Sequence, residues 1–282
     1  MQKMSDWVNA APDRKMRVLR EAIHTELIAI ANSAELQPQM IMKGGILLAI
    51  RYDTRRFTKD IDFSARSEFK DFDEKTFVDA FEISLIQTSA RLSYQLECRL
   101  QKYEVQPNRN SSYPAMKINV GYADKLDRNA LARLQRKQSP NVVQVDYSFN
   151  ELVHDVDIIE VDENASVQAY GETTLIAEKL RSILQQVVRN RSRRQDIFDL
   201  HYLVKNYPIN DEKKPLILES LIQKCRSRGI EPNRKSMASK EVYERSAQDY
   251  STLAIDTDGD LPDFDLAFRV VRRFYESLPW QD

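Results

Sequence analysis

Asp60 and Asp62 stand one residue apart in KDIDFS, and the alternation there reads as a strand over Lys59–Ser64. Aspartate is a poor strand former, so the pair needs a reason beyond local propensity. Residues i and i+2 of a strand share a face. The two carboxylates therefore converge, while Ile61 and Phe63 turn to the opposite side. Converging carboxylates repel unless a cation lies between them or one takes a proton. Hard divalent cations such as Mg²⁺ take a few carboxylates plus substrate phosphates, and a two-metal site needs its carboxylates clustered. The competing reading is a pair of solvated surface aspartates, since D-x-D arises by chance in a chain with 43 acidic residues. Asp146 offers a third carboxylate. In VVQVDYSF, Val143, Val145, Tyr147 and Phe149 face one way, and Gln144, Asp146 and Ser148 the other. Adjoining strands would bring Asp146 beside the pair.

Upstream, Gly44-Gly45 precede an apolar stretch that reads as a helix, and Lys43 comes directly before them. Such a junction lets backbone N–H groups approach a phosphate. It is equally a tight turn into a core helix. Arg55, Arg56 and Lys59 add a basic turn. Phosphate-binding backbone, a helix, basic residues and a carboxylate pair are the parts needed for chemistry on a nucleoside triphosphate.

Two later helices carry further candidates. Over 174–190, Ile176, Leu180, Ile183, Leu184 and Val187 form an apolar stripe flanked by Lys179, with Glu178 projecting away. Lys179 either snorkels to solvent or reaches toward a triphosphate as a compact point charge. Over 195–206, Asp196 falls on the apolar face with Ile197, Leu200, Leu203 and Val204, and Asp199 lies further round toward solvent. A carboxylate on an apolar face is costly unless paired, although the helix N-terminus also favours it. Between the helices, Arg189, Arg191, Arg193 and Arg194 form a basic turn that suits a polyanion or is simply solvated.

Gly-Gly, a helix and then D-x-D resembles the minimal nucleotidyltransferase superfamily of polymerase-beta-like fold. More closely, KGGILLAIRYDTRRFTKDIDFS with TLIAEKLRSILQQ and RSRRQDIFDLHYLV resembles the AbiEii/AbiGii-type nucleotidyltransferase toxins. These belong to type IV toxin–antitoxin and abortive-infection systems. The resemblance spans residues 40–205. It implies an enzyme that binds an NTP with Mg²⁺ and transfers NMP to an acceptor, tRNA, releasing pyrophosphate and arresting growth. It also implies a cognate antitoxin encoded nearby. Asp60 and Asp62 match the family's metal-binding pair, and Lys179 and Asp196 match its later active-site positions. Asp146 as a third metal ligand comes from the strand argument. Lys43, Gly44, Gly45 and Lys179 are the phosphate-binding candidates. Ile46 departs from the family, which often has Thr or Ser after the glycines. Two other classes stay open: a non-catalytic RNA- or protein-binding module on this fold, and a small-molecule, antibiotic-type nucleotidyltransferase.

The elements that must position these residues follow from periodicity. Helices are expected over 12–33, 73–103, 174–190, 195–206, 213–227, 238–250 and 262–277, and strands over 59–64, AMKINVGY, VVQVDYSF and a short IIEV near 160. The fold class is α+β. A nucleotidyltransferase-like mixed sheet with helices (1–165) is followed by an α-helical domain (166–282) expected to complete the active-site cleft. Of the 282 residues, 42% are hydrophobic and 30% charged, enough for packed cores. Net charge is −1, so any nucleic-acid binding must be local. The two cysteines lie far apart and the three histidines are scattered, which excludes a disulfide framework and zinc spacing. No apolar run approaches the roughly 20 residues of a membrane span, so a cytoplasmic protein without a membrane partner is expected. DTDGDLPDFD lacks EF-hand spacing and reads as an acidic turn with Asp263 as a helix cap.

Overall fold

The strand bearing Asp62 lies in the middle of a seven-stranded mixed sheet. The computed structural model describes residues 4–54 and 56–281. Its strands are β1 (Met40–Lys43), β2 (Ile61–Ala65), β3 (Leu96–Gln106), β4 (Ala115–Asp124), β5 (Val142–Ser148), β6 (Val156–Asp162) and β7 (Ala165–Tyr170), in the order β3-β4-β5-β2-β1-β7-β6. β2 runs antiparallel to β1 and parallel to β5, β4 is antiparallel to both β3 and β5, and β1 is parallel to β7. Arg55, read as part of a basic turn, lies outside the described residues.

The chain forms two compact units: residues 1–53, 58–151 and 156–169, and residues 54–57, 152–155 and 170–282. The first holds the sheet with α1 (Met4–Asn9), α2 (Arg14–Ala31), α3 (Gly44–Tyr52), α4 (Glu74–Arg91) and α5 (Arg128–Gln135). Asp13, Asp73 and Asp127 cap α2, α4 and α5 by accepting from backbone N–H groups of the first turn. The buried side of β5 is anchored by aromatic rings. Tyr147 stacks on Phe77 at 5.0 Å and meets Phe149 at 4.6 Å, and its hydroxyl donates to Gln39 O at 3.0 Å. Aromatic pairs of this kind contribute about 0.5–1.5 kcal/mol each beyond area burial. Because side chains alternate, fixing Tyr147 inward fixes Asp146 outward.

One expected helix is wrong in part. The helix expected over 73–103 ends at Arg91, and Leu96 opens β3. Leu96, Cys98 and Leu100 are buried while Glu97 and Arg99 are not, a period of two that a helix cannot satisfy. β1 and β7 were not anticipated. All four β1 residues are buried, so β1 has no alternation to read.

The second unit holds α6 (Glu172–Val188), α7 (Arg194–Asn206), α8 (Lys213–Arg226), α9 (Lys240–Ala247) and α10 (Phe264–Glu276). α6 packs against α7, α8 and α9, and α7 against α10. The α6 N-cap, Gly171, has no side chain to offer. Asp155 caps instead, its Oδ1 accepting from Thr174 N at 2.8 Å. A Cβ on Gly171 would stand 1.9 Å from Asp155 Oδ2, so this cap requires glycine. Asp263 caps α10 as expected, accepting from Leu266 N at 3.0 Å. No helix among the described residues is long and apolar enough to cross a membrane.

In α2, Glu26 is fully buried, and neither carboxyl oxygen has a hydrogen-bond partner among the described residues. Burial pushes its carboxyl well above the ordinary value. The folded state thus keeps a proton that the unfolded chain releases above about pH 4.3. Stability contributed here is present below that pH and lost as pH rises toward the folded value. Glu26→Gln should therefore gain stability over wild type as pH rises, by up to about 1.4 kcal/mol per unit. Urea midpoints across the acid-to-neutral range measure it; parallel curves for the two proteins would contradict the assignment.

Candidate active site

Gly44 and Asp62 meet more closely than any side chain at position 44 would allow. Gly44 opens α3 at φ +74°, a left-handed conformation suited to glycine. A Cβ there would lie 2.0 Å from Asp62 Oδ2 and 2.7 Å from Asp62 Cγ. The Asp62 carboxylate therefore lies directly against the backbone where α3 begins. The N-cap residue, Lys43, supplies no side-chain cap. Gly45 and Ile46 are buried, and Ile46 is fully enclosed, which accounts for an apolar residue there.

The strand registers line up four charged residues. Lys117 on β4 pairs with Asp146 on β5, Asp146 with Asp62 on β2, and Asp62 with Lys43 on β1. Partners in register lie on the same face of a sheet. Lys117, Asp146 and Asp62 are all half-buried, while their chain neighbours Met116, Ile118, Val145, Tyr147, Ile61 and Phe63 fill the other side. The expectation that a sheet neighbour brings Asp146 beside Asp62 holds. Gln144 Nε2 donates to Asp146 Oδ1 at 2.9 Å and orients it.

Asp60 stands just ahead of β2 rather than within it, because the strand starts at Ile61. Partial burial, and then the charge of Asp146, raise its carboxyl above the ordinary value, against the pull of Lys117 and Lys59. Lys43 is buried, and its ammonium pairs with Glu151, whose Oε2 also accepts from Ser64 Oγ at 2.6 Å. Lys117, Gln144 and Glu151 did not emerge from the sequence as candidates. The alternation of AMKINVGY put Lys117 on the polar face, and nothing local marked Glu151.

The donors suit a hard divalent cation. Asp60, Asp62 and Asp146 offer carboxylate oxygens, and the repulsion that raises Asp60 is of the kind such a cation relieves. Among the described residues no group of three or more His, Cys, Asp or Glu already converges on one point.

In the second unit, Lys179 and Asp196 are brought together. Lys179 Nζ donates to Asp196 Oδ1 at 3.1 Å and to Asp199 Oδ2 at 2.6 Å. Arg56 grips Asp199 with two bonds of 3.0 and 3.1 Å, and Arg193 Nε reaches Asp196 Oδ2 at 2.6 Å. Asp199 was expected toward solvent but is fully buried. Its i+3 spacing keeps it near the face of Asp196, and two cations offset its desolvation. Glu178, expected to project away, pairs with Arg181 and Lys224. Burial works against charge on Lys179, but Asp199 and Asp196 outweigh it and raise its value. Burial would raise Asp199, and Arg56 and Lys179 reverse this and lower it. Lys179 does not snorkel to solvent.

The comparisons fall on this geometry. The family model for the nucleotidyl transferase AbiEii toxin of type IV TA systems matches residues 27–270. Among solved structures, a candidate nucleotidyltransferase from H. pylori is similar at TM-score 0.51 and 14% identity, covering 94% of this chain and 95% of its own. JHP933 from Helicobacter pylori is similar at TM-score 0.52 and 13% identity, covering 94% and 92%. At these identities the likeness speaks for the fold. A comparison with curated proteins gives no significant match.

Lys179→Met would leave two buried carboxylates without their shared cation. Breaking such a buried pair costs about 3–5 kcal/mol. The urea midpoint at neutral pH should fall accordingly. Since Asp199 is lowered, its stabilisation is present above about pH 3.9 and lost as pH falls further. The variant should lose it nearer that pH than wild type does. A midpoint unchanged from wild type would show that the cluster is not stabilising in this way.

Proposed function

The chain belongs to the AbiEii nucleotidyltransferase toxin family of type IV toxin–antitoxin systems, and from that premise we propose that it transfers NMP from an NTP to a tRNA acceptor. It acts with Mg²⁺ in the cytoplasm, and an antitoxin encoded nearby opposes it. The observation that carries this reading is the Asp62 carboxylate lying against Gly44 while in register with Asp146. Carboxylates and a glycine-initiated helix in one place suit a metal–triphosphate.

In this reading Asp60, Asp62 and Asp146 hold the metal. Bound Mg²⁺ supplies charge neutralisation to the transferring phosphoryl group. The backbone N–H groups at Gly44 and Gly45 meet phosphate oxygens, which glycine permits because no Cβ intervenes. Lys43, engaged by Glu151, steadies the strand end beside Asp62 rather than meeting phosphate as a free cation. Lys117 supplies positive charge at the far end of the row, where a triphosphate would otherwise meet only carboxylates. Lys179 and Asp196 serve as the later active-site groups, with Asp199 and Arg56 holding them. Ile46 removes the hydroxyl contact that many relatives have, so phosphate recognition rests on backbone groups.

Labelled NTP incubated with total tRNA and Mg²⁺ tests the reading. Wild type should label RNA, and Asp60→Ala and Asp62→Ala should each lose at least about 10²-fold in rate, the scale of removing one electrostatic stabiliser. Unchanged labelling by both variants would sink the assignment. RNA binding without any NTP turnover would instead mark a binding module, and protection from an antibiotic on expression would mark a small-molecule enzyme.

A further inference from the structure

The turn joining α6 to α7 holds Arg189, Arg191 and Arg193, and Arg194 opens α7 directly after it. Arg193 is engaged by Asp196. Among the described residues, the side chains of Arg189, Arg191 and Arg194 donate to no acceptor, and Arg194 Nε is buried without one. Partial burial, and then the charges of Arg193, Arg189 and Arg181, push the Arg191 guanidinium down to about 10, with Asp196 opposing. Like charges crowded this way are unfavourable until an anion arrives.

The turn is also built rather than loose. Gln186 is fully buried beneath it. Its Oε1 accepts from Arg193 N at 3.0 Å, and its Nε2 donates to Val242 O at 3.1 Å and Ser246 Oγ at 2.7 Å. Arg191 N donates to Gln186 O at 3.1 Å. Asn190, left-handed at φ +48°, accepts from Arg245 Nη1 at 2.8 Å, and Ser192 Oγ reaches Gln248 O at 3.3 Å. A merely solvated arginine run needs no such framework.

We propose that this turn is a phosphate-backbone site for the RNA acceptor, with Arg189 and Arg191 as its contacting side chains. The proposal rests on the reading of the acceptor as RNA. Every cation of the turn is arginine, whose planar fork matches phosphate bidentately. Successive phosphates of one strand deliver closely spaced negative charges without having to be folded into place. A chain of net charge −1 has no long-range attraction for RNA, so a local cluster must supply it.

The side chains of Arg189 and Arg191 are exposed and make no hydrogen bond among the described residues, and alanine keeps their backbone bonds, so Arg189→Ala/Arg191→Ala should fold. tRNA binding is titrated between about 50 and 200 mM salt. The double variant should bind at least about tenfold more weakly, with the slope of log K against log salt reduced by about 1.5–2. Its KM for NTP should be unchanged. Lysine at both positions should keep the slope. The charge-matched control Arg128→Ala/Arg133→Ala on α5 should bind as wild type. Unchanged affinity and slope in the alanine variant, an equal loss in the control, or a raised KM for NTP with intact RNA binding would each overturn the proposal. Wild type that binds no tRNA would overturn the acceptor reading as well, and is thereby distinct from a wild type that labels RNA while the arginine variant labels it equally.

Discussion

The close approach of Gly44 to the Asp62 carboxylate is the constraint on which the first unit's site depends. It holds only if position 44 has no side chain and can adopt a left-handed backbone. It also fixes how β1 enters α3, because the helix must start where β1 ends beside Asp62. The parallel pairing of β2 with β5 then adds Asp146, and the antiparallel pairing of β5 with β4 adds Lys117. A slip of one residue in either ladder would turn these charges into the apolar side. The aromatic packing of Tyr147 and Phe149 makes such a slip costly.

The second unit faces a different physical problem. It buries a lysine and two aspartates within a helical core and brings two arginines to them. Buried ion clusters are weak contributors to net stability, because well-packed apolar residues often do as well. Removing one member is nonetheless severe. Loss of activity in a Lys179 variant would therefore mix chemistry with unfolding, whereas Asp60, exposed ahead of its strand, carries no such ambiguity.

The sequence made the placement of the charged side chains more legible than some of the elements that carry them. Asp62 and Asp146 were readable because strand alternation assigns faces without needing the partner strand. Asp196 stood out as a carboxylate on an apolar face, and its cation is Lys179, already singled out. Asp199 was misjudged because a helical wheel gives direction but not the neighbour that makes burial tolerable. Arg56 supplies that neighbour from 143 residues away, and no local pattern signals it. Glu151 was invisible for the same reason, lying 108 residues from Lys43. β1 escaped because a strand buried on both faces has no period, and β3 because an apolar run after a helix reads as its continuation.

Near-zero net charge conceals two opposite local imbalances. Around β1, β2 and β5, four carboxylates (Asp60, Asp62, Asp146 and Glu151) face three ammonium groups, Lys43, Lys59 and Lys117. Where α6 meets α7, Arg189, Arg191, Arg193 and Arg194 lie close to the buried cluster in which Arg56 and Lys179 face Asp196 and Asp199. The first group carries a net negative charge, of the sign a bound metal cation would offset. The second carries a net positive charge, of the sign phosphates would offset. Within each unit, the excess charge is of the sign that a bound ligand of opposite charge would offset.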